Sequence, residues 1–126
     1  MKLEKIFICD HGGKNIAQEI LLGRFVKQKR IKLEINWATE KSVRKIPEGY
    51  DIYVLHLEDV DSSYEISKLK KEQPWSFILG YSGALDYDSI YTIKTDFEIK
   101  KESCDRVVWA LDLTEEIKQV LEKRKR

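Results

Sequence analysis

The sequence is poor in the residues that build special architectures. It has two cysteines, Cys9 and Cys104, in 126 residues. They do not form a metal-type spacing, and their scarcity points to an intracellular, cytoplasmic chain with reduced thiols. Two prolines and six glycines leave no linker, repeat or low-complexity segment. The formal net charge of +1 gives no bulk electrostatic reason to bind nucleic acid or an anionic membrane. No run approaches the ~20 apolar residues of a membrane span. The start, MKLEKIFICD, is too polar for a secretory signal.

What is present is the composition of a globular chain, 42% hydrophobic and 36% charged. Residues 1–126 fit one domain, large enough to bury roughly two-thirds of its unfolded surface. The most informative stretch is Tyr50–Leu57, YDIYVLHL. It is apolar on both alternations, as a strand covered on both faces must be. His56 interrupts it just before Glu58-Asp59-Val60-Asp61.

Around this strand the chain alternates. Lys5–Asp10 reads as a first strand ending in Asp10-His11-Gly12-Gly13. The two glycines can bring backbone amides to an anion, but they lack the third glycine of a dinucleotide site and the Lys-Ser/Thr of a P-loop. A plain strand-to-helix turn is the simpler reading. Asn15–Lys29 is a helix whose inward stripe is read as Ile16, Ala17, Ile20, Leu21 and Phe25. Ile31–Ala38 alternates and fits a half-buried strand at or near an edge. Thr39 is placed to cap a short helix over Glu40–Lys45, which Pro47 and Gly49 end.

Beyond the central strand, Ser62 and Glu65 have capping-box spacing for a helix over Ser63–Glu72. Trp75–Tyr81 is another buried strand, opening onto Ser82-Gly83-Ala84. From Tyr91 to Ile99 apolar and polar residues alternate, so the region 85–102 reads as irregular or extended where a helix would be expected. Arg106–Leu111 is a last buried strand. A helix follows, with Leu113, Ile117, Val120 and Leu121 inward. The tail Glu122-Lys123-Arg124-Lys125-Arg126 reads as frayed and solvated. The three tryptophans lie on predicted strands, as packing residues and not as a base-stacking platform.

The alternation predicts a three-layer, doubly wound α/β fold with a mainly parallel, five-stranded sheet. In such sheets, ligands gather beyond the carboxyl ends of the strands. Asp10, His11, His56, Glu58, Asp59 and Ser82 should therefore share one rim. Two imidazoles among carboxylates are a donor set for Zn²⁺ or Ni²⁺; their plainer use is as strand-end residues bonded to backbone. No metal and no cofactor is indicated. Gly80-Tyr81-Ser82-Gly83-Ala84 is close to a nucleophile elbow, but no histidine follows Ser82 in the chain. His56 as a phosphoryl carrier is a third option.

The length and strand-end positions resemble the receiver domain of bacterial response regulators, which is flavodoxin-like (CheY-like). In that family the first strand ends in two acidic residues that hold Mg²⁺; the matching positions here are Asp10-His11. The third strand ends in the Asp that accepts a phosphoryl group; here it is His56. The Ser or Thr ending the fourth strand is matched by Ser82, or by Tyr81 in a shifted register. The Lys ending the fifth strand falls near Ala110, and no Lys-Pro follows. Two oxygen ligands suited to Mg²⁺ are replaced by imidazoles. The resemblance therefore implies a degenerate receiver, or pseudo-receiver: a non-catalytic signalling or regulatory module acting through protein–protein contact. The expected contact surface is Tyr91, Ile93, Phe97 and Ile99, an alternating edge that a second copy of the chain can use to form a homodimer. The alternative is a small enzyme or phosphocarrier built on His56, Asp10 and Ser82.

Overall fold

The computed structural model describes residues 2–83 and 96–125. Five strands, β1 (Leu3–Cys9), β2 (Lys32–Trp37), β3 (Ile52–His56), β4 (Phe77–Ser82) and β5 (Arg106–Trp109), form one sheet. Its order is β2-β1-β3-β4-β5, and every pairing is parallel. The central place belongs to β3, and all five of its residues are buried. Among the described residues four helices cover the sheet: α1 (Ile16–Lys29), α2 (Ser63–Glu72), α3 (Asp96–Ser103) and α4 (Leu113–Lys125).

Strand alternation sorts the core into two layers. Ile6, Ile8, Ile52, Val54 and Leu79 pack with Leu22 of α1 and with Leu113, Ile117, Val120 and Leu121 of α4. Phe7, Cys9, Tyr53, Leu55 and Ile78 pack with Ile66 and Leu69 of α2 and with Phe97 of α3. Each fully buried aliphatic side chain contributes roughly 1.5–3 kcal/mol by leaving water. Both thiols are free. Burial pushes each of them up to about 12.

Gly80 is where β4 passes under the opposite layer. A Cβ there would stand 2.8 Å from Cys104 Sγ and 2.9 Å from Leu57 Cδ2. Gly80→Ala is expected to cost about 1–3 kcal/mol by overpacking, read as a lower urea midpoint. Adding Cys104→Ala should restore part of that loss. A midpoint equal to that of the parent chain would refute the contact.

Several expectations need correction. Helix α3 begins at Asp96, so the extended reading fails over 96–102. Its inward residues are Phe97 and Lys100, three apart, and a lysine on the buried face hid the helical period. Tyr91 and Ile93 lie outside the described residues. The inward face of α1 is Gln18, Leu22, Phe25 and Val26, while Ile16, Ile20 and Leu21 are 67%, 50% and 43% exposed. The helix is apolar on two overlapping stripes, and periodicity alone could not choose between them. No helix forms over Glu40–Lys45; Val43 instead bridges to Val60, donating to Asp59 O at 2.7 Å and accepting from Asp61 N–H at 2.9 Å.

Two helix ends also differ. Ser62 makes no side-chain cap. The Asp96 carboxylate takes over that task, accepting from Ser63 N–H at 3.3 Å and Ser63 Oγ at 2.5 Å. That hydroxyl bond is the main reason the Asp96 carboxyl lies below its ordinary range. At the other end of the chain α4 continues to Lys125, and Arg124 pairs with the buried Glu4 at 3.0 Å. The tail is therefore anchored and not frayed there. At the edge, β5 is only partly buried, and Trp75 and Trp109 are 56% and 36% exposed. Among the tryptophans, Trp37 alone packs against a core cluster.

Candidate functional site

The carboxyl ends of β1, β3 and β4 deliver the rim. Parallel register sets Cys9 beside Leu55 and His56 beside Tyr81. Just past β1, Asp10 and His11 turn toward β3. Just past β3, a 3-10 turn at Leu57–Asp59 folds Glu58 and Asp59 back onto His56. Ser82 is the last residue of β4 and is fully buried.

His56 is the hub of this rim, with its side chain only 11% exposed. Its Nδ1 lies 2.7 Å from Asp59 Oδ2, and its Nε2 lies 2.9 Å from Glu58 Oε2. The other oxygen of Glu58 accepts a hydrogen bond from Ser82 Oγ. His11 approaches from the β1 side. Its backbone N–H donates to Asp59 Oδ2 at 2.8 Å, and its ring Nδ1 lies 3.3 Å from the same oxygen. The two imidazole rings meet edge to face, 4.3 Å between centroids. One nitrogen of each histidine and one Asp59 oxygen fall within 4.8 Å of one another.

Five of the six predicted rim residues thus form one connected set: His11, His56, Glu58, Asp59 and Ser82. Asp10 stands slightly apart. It accepts from Asn15 Nδ2 at 3.4 Å and faces Tyr81, a residue the sequence reading used only as a shifted alternative to Ser82. Tyr81 donates to Cys9 O at 3.2 Å. Burial first, and then the charge of and bond to Asp10, push its phenol far above the ordinary range. The Tyr81 ring lies against the His56 ring, 4.9 Å between centroids and tilted by 40°.

The Ser82 hydroxyl has one proton, and it goes to Glu58. It is therefore not offered to an imidazole, as activation of a serine nucleophile would require. Gly12 is also committed. Its φ is +71°, and a Cβ would stand 2.7 Å from Lys41 N and 2.8 Å from Glu40 C. The glycine lets two loops touch; it does not present an open amide cradle.

A residue missed by the sequence reading supports the rim from beneath. Lys100 is buried, and its ammonium donates to Leu57 O at 3.0 Å and Val60 O at 2.5 Å. It holds both ends of the turn that carries Glu58 and Asp59. The only signal was a lysine at i+3 from Phe97, which a search for alternation passes over. On the far side of the turn, a cleft of about 420 Å³ is lined by Phe7, Trp37, Ala38, Val43 and neighbours. It lies along the passage from β2 to β3, which has no helix.

The architecture matches solved structures throughout its length. A CheY-like receiver domain protein from Methanospirillum hungatei superposes with a TM-score of 0.57 at 18% identity, covering 98% of each chain. The chain has the receiver fold. A response regulator from Thermotoga maritima gives a TM-score of 0.58 at 14% identity, over 96% of this chain and 99% of that one. A response regulator from Burkholderia pseudomallei, described with a phosphorylated aspartic acid and a calcium ion, gives 0.53 at 18% identity, over 94% of this chain and 66% of that one. No protein-family model and no curated protein matches the sequence. Within the receiver fold, the three strand-end positions of the rim are His56, Asp10 and Ser82. At the end of β5, Trp109 pairs with Ser82 and Ala110 opens a 3-10 turn.

Proposed function

We propose that this chain is a pseudo-receiver: a signalling or regulatory module that acts by protein contact and not by aspartyl-phosphate chemistry. One observation carries the reading. The central strand ends in His56, whose two nitrogens both face carboxylates of the same turn. No carboxylate occupies the strand end itself, where an acyl phosphate would form. The anionic oxygens nearby are engaged with imidazoles and a serine hydroxyl, so a second anion entering the rim would meet repulsion from Glu58 and Asp59. The alternative, a phosphocarrier or small enzyme using His56, Asp10 and Ser82, needs an accessible ring nitrogen, and the burial of His56 weighs against it.

A contact surface has independent support. The stripe Ile16, Ile20 and Leu21 on α1 is exposed, and contiguous apolar surface of this kind marks interaction sites. On α3, Ile99 is 38% exposed and Phe97 is partly buried against the core. Of the surface Tyr91, Ile93, Phe97 and Ile99, the most available member among the described residues is Ile99. A homodimer is one way to cover either patch.

The test reads intact mass and elution volume after incubation with acetyl phosphate and Mg²⁺. The expected result is no added mass and an unchanged elution volume. A phosphoryl adduct that disappears in His56→Ala would overturn the reading and make the chain a phosphotransfer protein.

A further inference from the structure

The rim contains a donor set that no aspartyl-phosphate site needs. We infer that His11, His56 and Asp59 form a site for a divalent transition-metal ion of the Zn²⁺ class. Two imidazole nitrogens and one carboxylate oxygen converge within 4.8 Å. Around a tetrahedral ion with bonds of roughly 2.0–2.2 Å, donors stand about 3.3–3.6 Å apart. The present separation of 3.3 Å between His11 Nδ1 and Asp59 Oδ2 already suits that geometry. The 2.7 Å from His56 Nδ1 to Asp59 Oδ2 needs to open by roughly 0.6–0.9 Å to reach that spacing. Three protein ligands leave a fourth position for water, at the side where His11 is 70% exposed.

The second observation is the support behind His56. A histidine that ligates through one nitrogen generally donates its other N–H to a carboxylate, which fixes the tautomer. His56 Nε2 faces Glu58 Oε2 at 2.9 Å, and Glu58 is itself held by the Ser82 hydroxyl. With an ion bound, this arrangement would hold the proton on Nε2 and free Nδ1, which faces Asp59, to act as the ligand. Glu58 and Ser82 are positioning residues here, not ligands. Mg²⁺ and Ca²⁺ are disfavoured because they demand oxygen donors, whereas imidazole suits Zn²⁺, Ni²⁺ and Cu²⁺. A bound ion would cross-link the loop after β1 to the turn after β3. The inference does not depend on how the chain contacts a partner.

The experiment uses the full chain without a purification tag. Zn²⁺ is titrated by calorimetry, and Co²⁺ is followed by its visible d–d absorption. One ion per chain is expected, with a Co²⁺ band of tetrahedral intensity. His11→Asn removes one ligand at an exposed position whose φ of +51° asparagine accepts. It should weaken binding at least about tenfold, and Glu58→Gln should do so by a similar factor. Circular dichroism confirms that both variants fold. Absence of binding, or binding that His11→Asn leaves unchanged, overturns the site.

Discussion

Gly12→Ala is expected to remove about 2–5 kcal/mol of folding stability. Two costs add. Left-handed backbone costs a residue with a Cβ roughly 1–2 kcal/mol, and φ at Gly12 is +71°. The new Cβ would also press on the main chain at Glu40 and Lys41, 2.7–2.8 Å away. Backbone atoms do not swing aside as a lysine tip does, so overpacking adds about 1–3 kcal/mol. The total is a large part of the 5–15 kcal/mol usual for a domain. Gly13 provides the control, because a Cβ there meets nothing within 4 Å. Gly13→Ala should stay within about 1 kcal/mol of the parent chain. Urea unfolding of the two variants side by side checks the claim. Equal midpoints would mean that the loops do not touch through Gly12.

Lys100→Met should cost about 2–6 kcal/mol. Methionine keeps most of the stem's packing and deletes the ammonium. The carbonyls of Leu57 and Val60 then lose a buried donor, at roughly 1–3 kcal/mol for each acceptor left unsatisfied. The ion pair with Asp96 at 3.8 Å adds little, since Asp96 is largely exposed. Lys101→Met, one residue along the same helix, loses only a stacking contact over Phe97 and should cost about 1 kcal/mol or less. The comparison is again by denaturant midpoint. If the two lysines prove equivalent, the ammonium does not bind the turn. A loss confined to Lys100 would also show that α3 and the histidine rim are mechanically joined, because the turn it grips carries both Glu58 and Asp59.

The strands were legible because burial leaves a direct mark on composition. A strand covered on both faces must be apolar throughout, and Ile52–Leu55 and Ile78–Leu79 say so residue by residue. The rim followed from them, since a parallel sheet gathers its strand ends on one side. What escaped detection was tertiary in origin. The cap of α2 comes from Asp96, far along the chain, so local spacing at Ser62 and Glu65 misled. Val43 prefers a bridge to Val60 over a turn of helix, and only the fold brings that partner near. Helix α1 has two apolar stripes, and the choice between them depends on where α4 lies. Lys100 is buried because two carbonyls await it, which no hydrophobic pattern encodes. At the rim, the residue types were plain, but the role of His56 as the junction of two carboxylates needed the 3-10 turn that folds them back.

The sheet order carries a consequence for assembly. Ile6 of β1 takes Ile35 on one side and Ile52 on the other, and no hairpin joins any two neighbouring strands among the described residues. Every pairing must therefore close a long stretch of chain before it returns any stabilisation. Such topology slows folding relative to helical proteins of similar size. During synthesis, the most apolar strand, β3, emerges before β4 exists to flank it. For that interval its free edge is the segment most open to mispairing with another nascent chain.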